Sequence, residues 1–404
     1  MEIEFRPATA EEMGQFGMLA GYVYGGAYGD GTDNLVASAT RPEWTLCAFD
    51  GSRLVSSFST IPFTMRANGE ALPIGGVSAV GTLPEYRRRG LVRQIMTRAF
   101  AGMRDGGRPI AALWASQAAI YQRYGFSMVS ALRSYTVDTV DIDFHDGDGG
   151  SGRVERLDIA SGYEPIKDVY VRFVADRMGY LHRARPLWLH NALEEREADG
   201  PIHIALSHGV SGPDGYAVYT LREGRRDHPA RSQEIVVRDL AWLSPDAYRS
   251  LWMFFKRHDL VGRVRWNSAP SDDPAVEYFL EPRLLQARDG EGFWLRLVDV
   301  AAALKGRGWT TDGEISLTVR EDFLAPWNTG SYRLTVSGGV ADVAPYPTAT
   351  DIEISVKALA SLYTGRRSAR ELSAWGLLAG DANAIQRSDS LFATRHAPHC
   401  PDHF

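Results

Sequence analysis

Three arginines and a glycine, Arg87-Arg88-Arg89-Gly90, stand between an apolar run that ends at Leu83-Pro84 and a segment in which Leu91, Ile95, Met96, Ala99 and Met103 recur at helical spacing. A helix that opens on such a turn presents its first backbone N–H groups without intrahelical partners, at the positive end of the helix dipole. Phosphate oxygens suit that place. Gly90 lets a backbone approach them with no side chain in the way, and the arginines add charge-assisted donors that match a diphosphate. Taken by itself the arginine run also fits a solvated surface. Two other groups could move protons. Tyr121 lies in Ile120-Tyr121-Gln122-Arg123-Tyr124-Gly125-Phe126 on an expected helix. A phenol of pKa about 10 can protonate a thiolate of pKa about 8.5 in a nearly balanced transfer, although a lone Tyr on a helix also serves to pack a sheet. The tail Ala397-Pro398-His399-Cys400-Pro401-Asp402-His403-Phe404 closes on an aromatic residue and reads as docked rather than frayed. An α-carboxylate at Phe404, with pKa about 3.3–3.7 in solution, is a poor base unless burial raises it or a water intervenes. Cys400 invites a nucleophile reading, but no His–Asp set is positioned for it, and a packed thiol describes it better.

The elements that must hold these groups follow from period and punctuation. Ile3–Arg6 alternates like an edge strand, and Thr9-Ala10-Glu11-Glu12 reads as a capping box. The segment 21–33, rich in Gly, Tyr and Asp, reads as loop or broken helix. Strands at 45–49, 53–61, 63–67 and 71–83 are punctuated by Asp50-Gly51 and Asn68-Gly69 turns. After the basic turn and its helix, Ile110-Ala111-Ala112-Leu113-Trp114 is a buried strand, and a helix over 117–124 stops at Gly125. The polar, glycine-rich stretch 141–153 reads as a linker; its acidic residues lack the closing Glu of a calcium loop. A second unit runs to about Pro282, and its strand–helix order after Ser232 repeats the first unit's plan without the arginine turn. Trp294-Leu295-Arg296-Leu297-Val298-Asp299 is expected to open a third, α+β unit.

The whole chain bounds the answer. Its 404 residues suggest two or three domains, and the 44% hydrophobic and 11% aromatic content is that of a globular protein. Forty-four basic against fifty acidic side chains leave a net charge of −6, which disfavours nucleic acid and suits a cationic small molecule. A cationic amine is held by carboxylates and aromatic faces, for which Asp30, Asp33, Trp44 and Asp402 are candidates. Two cysteines, Cys47 and Cys400, make neither a disulfide framework nor a zinc site, and no metal is expected. No apolar run approaches the roughly 20 residues that cross a bilayer. The opening Met1-Glu2-Ile3-Glu4-Phe5-Arg6 lacks a signal-peptide pattern, so a cytoplasmic protein is expected.

The strand, the Arg87-x-x-Gly90 turn and the helix together resemble the acyl-CoA loop of the GCN5-related N-acetyltransferases (GNAT superfamily), with Val92 where a small residue is usual. With the 120–126 segment, the Leu251-Trp252 to His258-Asp259 stretch, Leu295-Arg296-Leu297-Val298-Asp299-Val300 and the Phe terminus, the chain resembles the Eis (enhanced intracellular survival) N-acetyltransferases over its whole length. That resemblance implies a mixed α/β fold. Residues 1–145 form an N-terminal GNAT domain, 146–290 a degenerate GNAT-like domain unable to hold coenzyme A, and 291–404 a domain like sterol carrier proteins whose end returns to the active site. It implies acetyl-CoA as co-substrate, contacted by Val80, Gly81 and Thr82, by Arg88, Arg89, Gly90, Leu91, Val92 and Arg93, and by Ser116 and Gln117. Gln117 stands where relatives commonly carry an acid. Tyr121 would be the general acid and the Phe404 carboxylate the base. The acceptor would be an aminoglycoside- or polyamine-like amine or a lysine, and the assembly a homo-hexamer. A reading from another class is a non-catalytic sensor or scaffold that holds a small molecule or lipid in the third unit; the intact Arg87–Gly90 turn and Tyr121 favour the enzyme.

Overall fold

The computed structural model describes residues 3–25, 40–145, 150, 152–224 and 230–404, which form two compact units. The first holds the chain up to Val129 together with Phe293–Thr394 and Phe404; the second holds Ser130–Gly292 and Arg395–His403.

In the first unit, strands β1 (Ile3–Arg6), β2 (Cys47–Asp50), β3 (Arg53–Ala67), β4 (Glu70–Thr82), β5 (Ile110–Leu113) and β6 (Ser127–Met128) build one sheet. The strand Trp294–Leu297 completes it between β5 and β6. The expected turns are there: Gly51 at φ +61° joins β2 to β3, and Asn68 (φ +54°) with Gly69 (φ +105°) makes the two-residue turn from β3 to β4, whose hand matches strand twist. Among the described residues, helices α1 (Met13–Tyr24), α2 (Leu91–Asp105) and α3 (Ala118–Gln122) pack with this sheet. Helix α2 buries Leu91, Ile95, Met96, Ala99, Phe100 and Met103, the stripe its spacing announced, against Val55, Phe58, Val77, Ala111 and Leu113.

Trp294–Leu297 does not open a separate unit but lies inside the first sheet, antiparallel to β5. All four of its residues are buried, as befits a strand with neighbours on both edges and cover on both faces. The remainder of the first unit is a five-stranded sheet in the order Val340–Pro345, Gly330–Ser337, Gly313–Val319, Ile352–Ile354, Leu378–Gly380, with helices at Val300–Gly306, Val356–Tyr363, Ala369–Ala374 and Ala382–Phe392. Arg307, 1% exposed, donates to the carbonyls of Tyr363 (2.9 Å) and Phe392 (2.8 Å), the last residues of two of these helices. A cation among helix C-terminal carbonyls is matched by their dipoles, although burial still pushes its pKa down to about 10.

The second unit repeats the first sheet's plan. Its seven strands run Arg288–Glu291, Ala131–Asp138, Val261–Pro270, Gln233–Trp242, Gly212–Glu223, Ile202–Gly209, Arg153–Leu157, and the parallel pair is again joined by a helix, Pro245–Lys256. The expected linker starts later than its composition suggests. Ile142 and Phe144 are buried in this unit's core, the Phe144 ring 5.2 Å from Phe279. The tail is fastened here at several points. His399 N–H bonds to Met178 O (2.9 Å), Asn191 both accepts from His403 N–H (2.8 Å) and donates to its carbonyl (3.2 Å), and Asp402 pairs with Arg183 (2.8 Å). Among the described residues no helix is long and apolar enough to cross a membrane.

One buried carboxyl makes this unit sensitive to pH. Asp273, 2% exposed, accepts from Tyr248 Oη (2.8 Å) and Ala275 N–H (3.0 Å) through one oxygen, and burial pushes its pKa up to about 6. The folded state therefore holds this proton more tightly than the unfolded chain, and its contribution is full at acid pH and lost as pH rises through about 6. Asp273→Asn keeps an acceptor for both donors and never ionises. It should be more stable than the parent by about 1–3 kcal/mol at pH 8 and gain little at pH 4, as read from urea unfolding at the two pH values.

Candidate active site

The turn before α2 is wound for anion contact. Arg88 (φ +63°) and Gly90 (φ +76°) are both left-handed, an uncommon state for arginine and one that occurs where a local conformation is held for use. Gly90 caps α2 without a side-chain acceptor, and the first helical bond is from Gln94 N–H to Gly90 O (3.1 Å). The amides of Leu91, Val92 and Arg93 are therefore left without intrahelical partners at the dipole's positive end. The arginines divide their work. Arg87 Nε donates to Thr82 O (3.1 Å) and Arg89 Nη2 to Glu85 O (2.9 Å), while Arg89 stacks on Tyr86, whose hydroxyl bonds Asp50 (2.6 Å). These two brace the loop. Arg88, exposed, has no hydrogen-bond or ion-pair partner among the described residues and is the guanidinium left for a ligand.

The corresponding helix start in the second unit is closed to anions. There Ser244 Oγ accepts from Ala247 N–H (3.0 Å), Pro245 removes an amide, and Asp246 places a carboxylate in the first turn. A phosphate at this helix start would meet fewer bare amides and a like charge.

Strands β4 and β5 pair in parallel only from Ile74–Ile110 to Gly76–Ala112 and then part. Beyond this fork β4 is bulged: Ser57 pairs with Gly81 but Ser59 with Ser78, and Ala79 stands at φ +51°. Three serines of β3 hold the bulged strand, Ser56 Oγ to Gly81 O (2.7 Å), Ser57 Oγ to Ala79 O (2.7 Å) and Ser59 Oγ to Ser78 O (3.1 Å). Val80, Gly81 and Thr82 lie beyond the last pair with β5, on the side of β4 away from β3. A Cβ on Gly81 would stand 2.8 Å from Leu19 and 3.1 Å from Val23, so glycine lets α1 pack against the bulge. At the end of α1, Tyr24 Oη donates to Val80 O (3.2 Å).

Tyr121 is brought to the same edge. It is 3% exposed, Ser116 and Tyr24 lie near enough to its hydroxyl to influence it, and burial pushes its pKa well above that of a free phenol. Ser116 and Gln117 are exposed at the start of α3, with Gln117 as its N-cap residue. The position of α3 is fixed from below. Arg296 donates through Nη1 to Tyr124 O and through Nη2 to both oxygens of Asp322 (2.7 and 2.6 Å), the ion pair being buried in the first unit. Gly125, at φ +79°, has no room for a side chain beside that guanidinium. Phe404 lies at the crotch of the fork: its ring is 4.9 Å from Phe63, and a Cβ on Gly76 would meet both rings.

The candidate acceptor contacts fare differently. Trp44 is half-buried in a turn with Arg41 stacked on it. Asp402 is corrected: it is fully buried and spent on Arg183, which also meets Asp239, so it offers no free charge to a substrate. Asp30 and Asp33 lie outside the described residues. Cys400 is buried with its Sγ 3.5 Å from Asp402 O, and burial pushes its pKa up, away from thiolate chemistry. The serines of β3, Tyr24 and Arg296 were not singled out from sequence. Three serines within Ser56–Ser59, and one arginine inside Trp294–Leu297, were the available signals.

Residues 4–129 and 179–297 each match a family described as "Acetyltransferase (GNAT) domain", and residues 300–401 match "Sterol carrier protein domain". The N-acetyltransferase Eis of Mycobacterium tuberculosis is 31% identical over 354 residues, 85% of this chain and 84% of that one. The chain belongs to the Eis family of N-acetyltransferases. An uncharacterized N-acetyltransferase of Streptomyces avermitilis is 27% identical over 372 residues, 90% of each chain. Among solved structures, Eis1 from Mycobacterium abscessus matches over all of both chains with TM-score 0.84 at 26% identity. A GCN5-related N-acetyltransferase from Anabaena variabilis shares the fold over all of both chains, with TM-score 0.87 at 22% identity. The Eis-family fold is thus two GNAT domains and a sterol-carrier domain, and the protein is an N-acetyltransferase. Acetyl-CoA, the donor that GNAT enzymes use, fits the first unit: bare amides and Arg88 suit its diphosphate, and the open edge of β4 suits an amide-bearing arm.

Arg296 is a positioning residue for α3. Arg296→Met should cost on the order of 3–5 kcal/mol in urea unfolding, because it strands the Asp322 carboxylate in the core, and adding Asp322→Leu should recover part of that loss.

Proposed function

We propose that this Eis-family enzyme acetylates a primary amine of a small cationic acceptor, aminoglycoside- or polyamine-like or a lysine side chain, by direct attack in a ternary complex. Bound acetyl-CoA supplies an acetyl group activated as a thioester. The observation that carries the reading is the meeting of Tyr121, Ser116 and Tyr24 beside Val80 on the open edge of β4. The buried phenol holds its proton throughout the neutral range and can hand it to a departing thiolate, whose pKa the same apolar surroundings also raise. Ser116, which favours the ionised phenol where burial disfavours it, steadies the phenolate oxygen left behind. In this reading the carboxylate at Phe404 receives the amine proton, directly or through a water. Phe63 and Gly76 support that role by seating the Phe404 ring where β4 and β5 part. Four residues of β4, roughly 13 Å at strand rise, separate Gly76 from Val80, which leaves length for a donor and an acceptor between the two proton-handling groups.

Free-thiol release from acetyl-CoA with a panel of aminoglycosides and polyamines tests the activity. Tyr121→Phe should lower kcat by about 10²–10⁴-fold with little change in the KM for acetyl-CoA; a variant with full turnover would remove the phenol from the mechanism. Extending the chain beyond Phe404 by a few glycines displaces the carboxylate and should likewise lower kcat while coenzyme A affinity holds. An extended chain as fast as the parent would show that the terminal group is not the base.

A further inference from the structure

The end of the chain is held in the reverse of the usual way. Termini fray toward their last residue, but here the ties to the second unit tighten as the chain runs out. Arg395 meets Asp176 (2.8 Å) in an ion pair open to solvent. Ala397 N–H then bonds Asp272 (3.0 Å), and His399 N–H bonds Met178 O (2.9 Å). Pro398 and Pro401 restrict the backbone around these points. The next tie, Asp402 on Arg183, is buried on both sides.

Arg183 is itself locked in place. Its Nε donates to both oxygens of Asp402 (2.8 and 3.1 Å) and its Nη1 to Asp239, which also accepts from Tyr216 Oη (2.7 Å). The guanidinium lies 4.2 Å from the ring centre of Tyr170 and 4.5 Å from that of Trp188. With carboxylates at its donors and aromatic rings against its carbon, it has one place to be, and Asp402 with it.

Asn191 grips the residue that follows. Its Oδ1 accepts from His403 N–H (2.8 Å) and its Nδ2 donates to His403 O (3.2 Å). An amide side chain suits this task because it offers both an acceptor and a donor. Asn191 is braced in turn: Nδ2 also donates to Leu187 O (3.2 Å), and Asn191 O accepts from Arg238 (3.1 Å). The consequence is geometric. His403 O lies in the same rigid plane as the nitrogen and Cα of Phe404. Orienting that carbonyl fixes where Phe404 begins and leaves its carboxylate only the rotations of one residue. Buried Pro398, His399 and Cys400 already dock the tail, so the grip on the penultimate residue adds direction.

We propose that Asn191, with Arg183 behind it, is a positioning residue for the transfer: on the reading that the Phe404 carboxylate is the base, these two aim it at the acceptor amine.

Steady-state kinetics of Asn191→Ala in the full-length chain test it, with the aminoglycoside or polyamine of the same panel that the parent turns over fastest. The variant should lose about 10- to 100-fold in kcat, as a displaced proton acceptor does, with the KM for acetyl-CoA unchanged and the fold intact by circular dichroism. Asp402→Asn, which leaves Arg183 its partner Asp239, should do the same to a smaller degree. In a chain extended past Phe404 by glycines the carboxylate is already out of place, and neither substitution should cost anything more. Equal losses in the parent and extended chains would mean that Asn191 acts through the fold, which overturns the proposal. Full kcat in Asn191→Ala beside a slow extended chain overturns it too, and leaves the terminal base standing. An extended chain as fast as the parent removes the terminal base, and the positioning role falls with it.

Discussion

In the first unit β4 and β5 are hydrogen-bonded for three residue pairs and then separate, and the rest of the architecture answers to that parting. A buried strand with an unpaired edge leaves peptide groups that must find partners, because an orphaned amide or carbonyl in an apolar setting costs about 1–3 kcal/mol. On the β3 side the problem is solved internally. The bulge at Ala79 breaks the ladder, and Ser56, Ser57 and Ser59 supply hydroxyls to the carbonyls of Gly81, Ala79 and Ser78. On the other side Tyr24 takes the carbonyl of Val80, and the remainder of the edge stays available to an extended, amide-bearing donor. Affinity for the donor and irregularity of the strand are therefore one feature: a regular β4–β5 ladder would have no vacant valence to offer.

The phenol beside this edge is held still, and here the structure spends buried charge. The five-residue helix α3 is too short to be stable by its own hydrogen bonds. It is pinned by Arg296, whose guanidinium reaches the carbonyl of Tyr124 and is neutralised by Asp322, in turn bonded by Asn328 (3.1 Å). The arginine arrives on a strand more than 160 residues downstream of the helix it supports, and Gly125 exists to make room for it. Buried ion pairs contribute little net stability, but they define geometry sharply because the unpaired alternatives are so costly. That is the property a phenol poised at a cleft requires.

What could be read in the sequence and what could not divide along the same physical line. Local signals came through. The apolar stripe from Leu91 to Met103 gave α2, Asn68-Gly69 gave its turn, the docked character of the tail is borne by Asn191 and Met178, and the chain's membership of the Eis family was legible in its motifs. Long-range satisfaction did not. Trp294–Leu297 reads as the start of something new because nothing local says that its partners are at Ile110–Leu113 and Ser127–Met128. Asp402 reads as a free carboxylate beside the terminus because Arg183 is far away in sequence. Ile142 and Phe144 sit in a stretch whose composition is that of a linker, and only the position of Phe279 makes them core. In each case the residue's type is informative and its partner is not, since partners are set by topology rather than by spacing.

The two GNAT-like sheets differ most plainly at the start of one helix. Both sheets carry a parallel pair joined by one helix, and both pairs part beyond a short register. At the first helix the cap is Gly90 in a left-handed turn, with the amides of the first turn bare and Arg88 unspent. At the second, Ser244 fills one amide, Pro245 deletes another, and Asp246 repels whatever anion remains. Capping by serine and proline is the more stable way to begin a helix, worth roughly 0.5–2 kcal/mol over an uncapped start. Selection for stability alone would drive both helices toward the second form. The first instead keeps an uncapped, positively charged opening with arginine in a left-handed conformation, which suits an anionic ligand. The same sheet plan thus carries two helix starts of different chemistry, one with unsatisfied amides and one with its amides capped or deleted.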